Sequence, residues 1–110
     1  MTADIKPSSF SPCVAVIIAA YNAEATIVRA IRSALAEPEV AEVIVVDDAS
    51  TDSTAKRATE ANDGSGRLRV LIQLTNGGPS AARNRAIRES TAPWITVLDS
   101  DDFLLPGRMH

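Results

Sequence analysis

Four short apolar runs, rich in valine and isoleucine, recur along the chain. They cover residues 14–20, 43–46, 68–74 and 94–98. The first two are continuous, which is typical of a strand that is covered on both faces, as the strands of parallel sheets are. The pattern therefore predicts four strands of one sheet, and Trp94, which begins the fourth strand, is expected to pack in the core.

The segments between these runs show helical spacing and polar residues suited to helix ends. In residues 25–35 the apolar side chains recur at helical intervals, and Asn22 is the predicted N-cap. The segments STDSTAKRATEA and AARNRAIRES predict two more helices, the second capped by Ser80. Alternation of strand and helix implies right-handed crossovers. It predicts a Rossmann-like α/β fold with three α/β/α layers and a mainly parallel sheet.

Polar or glycine-rich residues follow every predicted strand. In chain order they are Tyr21 with Asn22, Asp47 with Asp48, residues 76–79 and residues 99–102. In open parallel sheets the ligand lies at the carboxyl ends of the strands, beside a switch in strand order. The pattern therefore predicts one ligand-binding edge that gathers all of these residues.

Length and charge limit the partners that this edge can bind. The chain has 110 residues, 45% of them hydrophobic, which suits one domain: residues 14–110 after a flexible N-terminal segment, residues 1–13. The formal net charge is −3 without a basic stripe, so no nucleic-acid partner is expected. No apolar run is long enough to span a bilayer, and the single cysteine, Cys13, favours a reducing, cytoplasmic location.

The same strand ends exclude the common nucleotide-binding motifs. The first strand is followed by AAYNAE rather than by the G-x-G-x-x-G of dinucleotide-binding folds, and neither NGGPS nor GSGR has the lysine of a P-loop. The D-x-D of Asp99 and Asp101 would suit a phosphotransferase of the haloacid dehalogenase type, but that motif belongs on the first strand. That class stays open only as a distant alternative.

Four motifs together resemble a known family. In chain order they are VAVIIAAYNAEATI, VIVVDDASTDST, NGGPSAARNRAI and ITVLDSDDFLLP. Their order and spacing are similar to those of family 2 glycosyltransferases, inverting enzymes of the GT-A fold that use nucleotide sugars. The resemblance covers residues 14–109. It implies a nucleotide-sugar donor, typically UDP-linked, and a saccharide or lipid-linked acceptor in polysaccharide biosynthesis.

The resemblance assigns the acidic cluster to a divalent cation. In the family the second Asp of the D-x-D holds Mg²⁺ or Mn²⁺, which here is Asp101, and the first, here Asp99, lies beside it toward the ribose and sugar. Such a cation prefers a few hard oxygen ligands completed by phosphate oxygens, and it stabilises the charge of the leaving diphosphate. Asp102 is left open between a residue behind the site and a solvated carboxylate.

The carboxylates after the second strand are assigned to the base. Asp48 takes the place of the family's Asp that accepts a hydrogen bond from the base, typically uracil, and Asp47 lies beside it. The alternative for both is helix N-terminal capping, because carboxylates are favoured at helix N-termini. Residues 50–54 are interpreted chiefly as caps of that helix.

The remaining nucleotide contacts are expected from the loops after the first and third strands. By resemblance, Tyr21 and Asn22 shape the base and ribose pocket, and Arg83 points toward the nucleotide. Ala19 departs from the family, which usually has proline there. The glycines of NGGPS allow the backbone to approach a ligand beside a helix N-terminus. The complete predicted nucleotide-sugar set is Ala19, Tyr21, Asn22, Asp47, Asp48, Gly77, Arg83, Asp99 and Ser100.

The resemblance also implies a position for the general base. In the family, the Asp or Glu that acts as general base lies well downstream of the D-x-D, so it is expected beyond His110. Residues 14–110 are therefore predicted to be the donor-binding half of a longer enzyme, truncated after the D-x-D, inactive alone, and able to self-associate through an exposed face. The parent protein could act at the cytoplasmic face of the membrane. The alternative is a non-catalytic nucleotide- or metal-binding module complete at 110 residues.

Overall fold

Strands and helices alternate along the part of the chain that the structure, a computed structural model, describes: residues 13–104. In chain order the elements are β1 (Val14–Ala20), α1 (Ile27–Leu35), β2 (Val40–Asp48), α2 (Thr54–Glu60), β3 (Leu68–Gln73), α3 (Pro79–Glu89) and β4 (Trp94–Val97). The predicted flexible segment, apart from Cys13, and the last six residues of the predicted domain lie outside the described residues.

The four strands form one parallel sheet in the order β3, β2, β1, β4. The first three strands advance in one direction, and the chain then crosses back to place β4 on the other side of β1. β1 and β2 lie in the middle and are largely buried, as their unbroken apolar runs predicted. The strand order therefore switches between β1 and β4, which is where a binding crevice is expected.

Helices cover both faces of the sheet. Because successive strand residues point to opposite faces, Ile18 and Val45 pack toward α1 and α2, whereas Ile17 and Ile44 pack toward α3. This three-layer α/β/α arrangement confirms the predicted fold class. Within residues 13–104 no helix is long and apolar enough to cross a membrane.

The strand bounds differ from the predicted ones only near their ends. β2 covers Val40–Asp48 rather than 43–46, because β1 pairs with it from Val40 to Asp47 and β3 pairs with it from Val43 to Asp48. β3 ends at Gln73, and the next residue, Leu74, is 93% exposed. β4 ends at Val97, one residue earlier than predicted.

Both predicted helix caps are wrong. Asn22 precedes the turn that leads into α1 and has a φ of 48°, and the N-cap position is Thr26, whose side chain makes no capping hydrogen bond. Ser80 lies inside the first turn of α3, which begins at Pro79. A proline at the first helical position has a suitable φ and no N–H to satisfy, so the helix begins there without a side-chain cap.

β4 is an edge strand of the described sheet. Trp94 is 68% exposed, so the expectation that it packs in the core is wrong. The Trp94 N–H donates to Cys13 O at 3.2 Å, on the side of β1. Since alternate residues of a parallel strand bond to alternate sides, the N–H groups of Ile95 and Val97 face outward. Both of these side chains are also exposed.

Candidate functional site

A cleft lies at the carboxyl ends of the strands, where the strand order switches between β1 and β4. One part, of about 390 Å³, is lined by residues that include Ala19, Tyr21, Asp48, Asn76, Gly78 and Ser100. The adjoining part, of about 540 Å³, is lined by residues that include Ala19, Tyr21, Asn22, Asp99, Ser100 and Asp101. Because the two parts share lining residues, they form one continuous cleft.

Most of the predicted site residues therefore meet at this cleft. The predicted residues outside its lining are Asp47, Gly77 and Arg83. Each of them contacts a neighbouring loop or a lining residue instead, as described below. Their direct roles toward a nucleotide stay predictions.

Asp48 ties the end of β2 to the loop that leads into α3. Its Oδ1 accepts the Gly77 N–H at 2.9 Å and its Oδ2 accepts the Gly78 N–H at 2.8 Å. The Asn76 side chain adds a hydrogen bond to the Asp48 carbonyl at 3.3 Å. The carboxylate thus lies at the N-terminal end of α3, where the helix dipole favours negative charge. The helix end that Asp48 contacts is that of α3 and not that of α2.

Gly78 adopts a conformation that glycine alone tolerates well, with φ of 89° and ψ of 163°. Gly78→Ala is therefore expected to lower the free energy of unfolding by about 1–3 kcal/mol. A Cβ there would meet no atom of residues 13–104 within 4 Å, so the cost is conformational rather than steric. Urea unfolding measures it, with the exposed Ser80→Ala as control. An unchanged unfolding midpoint would contradict the expectation.

Asp47 positions the loop after β1 through a serine. It is 4% exposed, and its Oδ1 accepts hydrogen bonds from both the hydroxyl and the N–H of Ser50. Ser50 Oγ in turn accepts the Asn22 N–H at 2.8 Å. Asn22 Oδ1 then accepts the Thr51 N–H at 2.8 Å. Asp47 therefore does not cap α2 either, and it is linked to Asn22 and the adjacent Tyr21 through Ser50.

A second set of hydrogen bonds continues this link between the loops after β1 and β2. The Ser53 N–H donates to Glu24 Oε1 at 2.8 Å, and the Glu24 N–H donates to Asp52 Oδ2 at 3.3 Å. The Ala23 N–H donates to Thr54 Oγ1 at 2.8 Å. Residues 50–54 thus brace the first loop rather than only capping α2. This brace was not predicted from the sequence, although five consecutive hydroxyl and acidic residues exceed what one helix cap requires.

The hydrogen bonds of residues 50–54 make the stability of the fold depend on pH. The pKa of Asp52 lies below the ordinary aspartate value of 3.8, chiefly because the Thr54 hydroxyl donates to its carboxylate. A carboxyl group with a lowered pKa stabilises the fold above its unfolded pKa, and this stability is lost as the pH falls through the folded pKa. We expect the urea midpoint of the wild type to fall more steeply below about pH 4 than that of Asp52→Asn.

The same urea series includes Glu60→Gln as a control, since it removes an exposed carboxylate outside the brace. Glu60→Gln should follow the wild-type curve. Parallel acid curves for the wild type and Asp52→Asn would contradict the role of Asp52.

The acidic turn after β4 forms the other wall of the cleft. Asp99 and Asp101 are exposed, and the Asp102 N–H closes the turn on the Asp99 carbonyl at 3.0 Å. Arg83 Nη2 lies 3.7 Å from Asp99 Oδ1. Arg83 Nε is buried without a hydrogen-bond partner among the described residues. Arg83 therefore lies beside Asp99, just outside the lining of the cleft.

The residues of this turn fit a divalent cation that binds together with a diphosphate. Within residues 13–104 no cluster of three or more His, Cys, Asp or Glu could hold a metal ion. Mg²⁺ at nucleotide sites requires fewer protein ligands, since one or two carboxylates are completed by waters and phosphate oxygens. Asp99 and Asp101 line the cleft and provide such oxygens.

Comparison with known proteins identifies the family. Residues 15–110 match the family described as glycosyl transferase family 2. The chain belongs to glycosyl transferase family 2. The succinoglycan biosynthesis protein ExoU of Rhizobium meliloti (strain 1021) is 58% identical over 96 residues, which cover 87% of this family 2 chain and 28% of ExoU. ExoO of the same organism is 46% identical over 90% of the chain and 28% of ExoO. The family 2 chain thus spans 28% of the length of these relatives.

Solved structures of glycosyltransferases share its fold. S. aureus TarS 1–349 in complex with UDP-GlcNAc has a TM-score of 0.73 and 34% identity, over 83% of this family 2 chain and 27% of the TarS 1–349 chain. The mannosyltransferase PcManGT from Pyrobaculum calidifontis, in complex with GDP-Man and Mn²⁺, has a TM-score of 0.78 and 27% identity, over 91% of the chain and 30% of PcManGT. The family 2 chain therefore has the GT-A glycosyltransferase fold.

Proposed function

We propose that this chain binds a nucleotide-diphosphate sugar, UDP-linked, together with Mg²⁺ or Mn²⁺. One observation carries the proposal: the cleft beside the switch in strand order is lined by Tyr21, Asp48, Asp99 and Asp101. TarS and PcManGT, which share the fold, bind nucleotide sugars, and PcManGT does so with Mn²⁺.

The base is proposed to lie between Tyr21 and Asp48. The Tyr21 ring is 51% exposed and lines both parts of the cleft, so it offers an aromatic surface to a base. Each Asp48 oxygen already accepts one loop N–H. A carboxylate oxygen has a further lone pair, so Asp48 can accept an N–H of the base without releasing the loop.

The diphosphate is proposed to lie at the acidic turn. Asp99 and Asp101 by themselves would repel phosphate, and a divalent cation between them turns this repulsion into attraction. When bound, the cation supplies Lewis-acid stabilisation of the leaving diphosphate. Arg83 can add a donor on the same side through its Nη2, which lies 3.7 Å from Asp99.

Calorimetric titration with UDP, with and without Mn²⁺, tests the proposal. We expect tighter binding with Mn²⁺ than without it. GDP serves as the comparison, because preference for UDP is part of the proposal. A folded protein, as judged by circular dichroism, that binds neither nucleotide in the presence of Mn²⁺ would contradict it.

For a polypeptide of the relatives' length we propose sugar transfer with inversion to a saccharide or lipid-linked acceptor in polysaccharide biosynthesis, with the cytoplasm as its location. The names of ExoU and ExoO support the polysaccharide assignment. The 110-residue chain itself is proposed to bind donor without transfer and to self-associate through the exposed outer edge of β4. Release of UDP from a UDP-sugar would contradict the proposal that the chain binds donor without transfer. Elution as a monomer in size-exclusion chromatography would contradict the proposed self-association.

A further inference from the structure

The acidic turn is held against α1 by an arginine of that helix. The Arg29 guanidinium stacks on the Phe103 ring, with its Cζ 4.6 Å from the ring centroid. Arg29 Nη2 also donates to the Asp101 backbone carbonyl at 3.4 Å. Four residues further along α1, Ser33 Oγ accepts the Leu104 N–H at 2.8 Å. Helix α1 therefore contacts the turn both at Asp101 and shortly after it.

We propose that Arg29 is a positioning residue for the divalent cation and acts through the Asp101 backbone and the Phe103 ring. The inference rests on the proposed function, since it concerns the cation that accompanies the nucleotide. Arg29 holds the peptide that carries the Asp101 side chain, and so sets where that carboxylate points before the cation binds.

The contacts along the turn explain why such a residue matters. At its start the Leu98 N–H donates to Ile17 O at 2.9 Å, and Leu98 is buried. At its end Leu104 packs against the core. Between these fixed points Asp101 is exposed, and Arg29 adds a contact at this residue itself. A ligand that is already oriented loses less conformational entropy when the cation binds, so binding is tighter.

Charge and position predict opposite outcomes when Arg29 is changed. A guanidinium near a cation repels it, so loss of the charge alone would strengthen Mn²⁺ binding. Loss of the positioning contacts would weaken it. Arg29→Lys keeps the charge but lacks the planar group that stacks on an aromatic ring and forms the hydrogen-bonding fork. A positioning role therefore predicts weaker Mn²⁺-dependent binding in both Arg29→Lys and Arg29→Gln. A purely electrostatic role predicts an unchanged lysine variant and a stronger glutamine variant.

The test measures UDP affinity by calorimetry, with and without Mn²⁺. We expect the gain in affinity that Mn²⁺ provides to fall about threefold to fivefold in both Arg29 variants. This fold-change corresponds to the free energy of an exposed cation–π contact. Metal-free UDP affinity should stay unchanged. Arg32→Gln is the matched control, because Arg32 is an exposed arginine on the same helix that lines a different surface cleft. It should leave both affinities as in the wild type.

The outcomes separate this inference from the proposed function. A wild type without Mn²⁺-dependent UDP binding contradicts the proposed function. Mn²⁺-dependent binding that is retained in full by both Arg29 variants overturns the role of Arg29 alone. A readout without nucleotide is the paramagnetic broadening of amide signals of residues 99–104 by Mn²⁺. Equal broadening in the wild type and Arg29→Gln would also overturn the inference.

Phe103→Leu tests whether the stacked ring transmits the effect. It should reduce the Mn²⁺-dependent gain by no more than Arg29→Gln does, since the hydrogen bond from Arg29 to the Asp101 carbonyl remains, and the double variant should lose no more than Arg29→Gln alone. Losses that add up would show independent actions and overturn the proposed route through Phe103.

Discussion

Replacing Asp101 by alanine is expected to remove the Mn²⁺-dependent part of UDP binding and to leave the metal-free part in place. Asp101 and Asp99 are the carboxylates of the acidic turn that line the cleft. With so few protein ligands, loss of one leaves the cation held mainly by water and phosphate oxygens. We expect UDP affinity in the presence of Mn²⁺ to fall at least about tenfold, or about 1.4 kcal/mol, in a calorimetric titration.

Two asparagine variants provide the matched control for this loss. Asp101→Asn and Asp102→Asn each remove one charge from the same turn. Asp102 Oδ1 accepts the Phe103 N–H at 2.8 Å, and asparagine keeps that acceptor. Asp102→Asn should therefore retain the Mn²⁺ dependence that Asp101→Asn loses. Equal losses would mean that the net charge of the turn decides the affinity, and full retention in Asp101→Ala would contradict its assignment as a metal ligand.

Asp48→Ala is expected to produce the largest loss of stability among the variants considered. The residue is 3% exposed, and alanine would leave the Gly77 and Gly78 N–H groups without their acceptor. Hydrogen bonds to charged groups contribute about 1.5–3 kcal/mol each, so loss of the two should lower the free energy of unfolding by about 3–6 kcal/mol. A small domain has only about 5–15 kcal/mol in total. Urea unfolding followed by circular dichroism measures the change.

Asp48→Asn refines this experiment. Its amide oxygen can accept one of the two N–H groups, but its amide nitrogen would face the other, so we expect an intermediate loss of stability. Glu60→Ala, on the exposed side of α2, is the control and should stay within about 0.5 kcal/mol of the wild type. If Asp48 served only to recognise the base, Asp48→Ala would lose UDP affinity at an unchanged unfolding midpoint, contrary to the loop contacts described here.

The strands could be predicted because a strand covered on both faces leaves a continuous apolar run. β1 has its predicted bounds, Val14–Ala20. The helix starts could not be predicted, because the residue types that cap helices also serve distant hydrogen bonds. Asn22 accepts from Thr51, 29 residues away, instead of capping α1. The prediction that Trp94 packs in the core was wrong for a related reason. The sequence of β4 does not reveal that this strand lies at the edge of the sheet.

The carboxylates of the cleft could be predicted because strand direction decides where each strand end lies. Asp48 and Asp101 were located in this way, and both line the cleft. The brace could not be predicted, since its hydrogen bonds join residues 28 to 31 positions apart and follow no local period. The stack of Arg29 on Phe103 likewise depends on how α1 lies against the sheet.

The strand order also decides when the cleft can be completed. Val14 at the start of β1 pairs with Trp94 at the start of β4, whereas β2 and β3 pair with strands closer in the chain. Synthesis releases the N-terminal strands first, and pairing across a long stretch of chain is slow because that stretch must be ordered before contact repays the cost. The edge of β1 that pairs with β4 therefore stays unpaired during synthesis until β4 leaves the ribosome. A probe that binds the cleft would report the pairing of β4 with β1, after signals from β1 to β3 have already appeared.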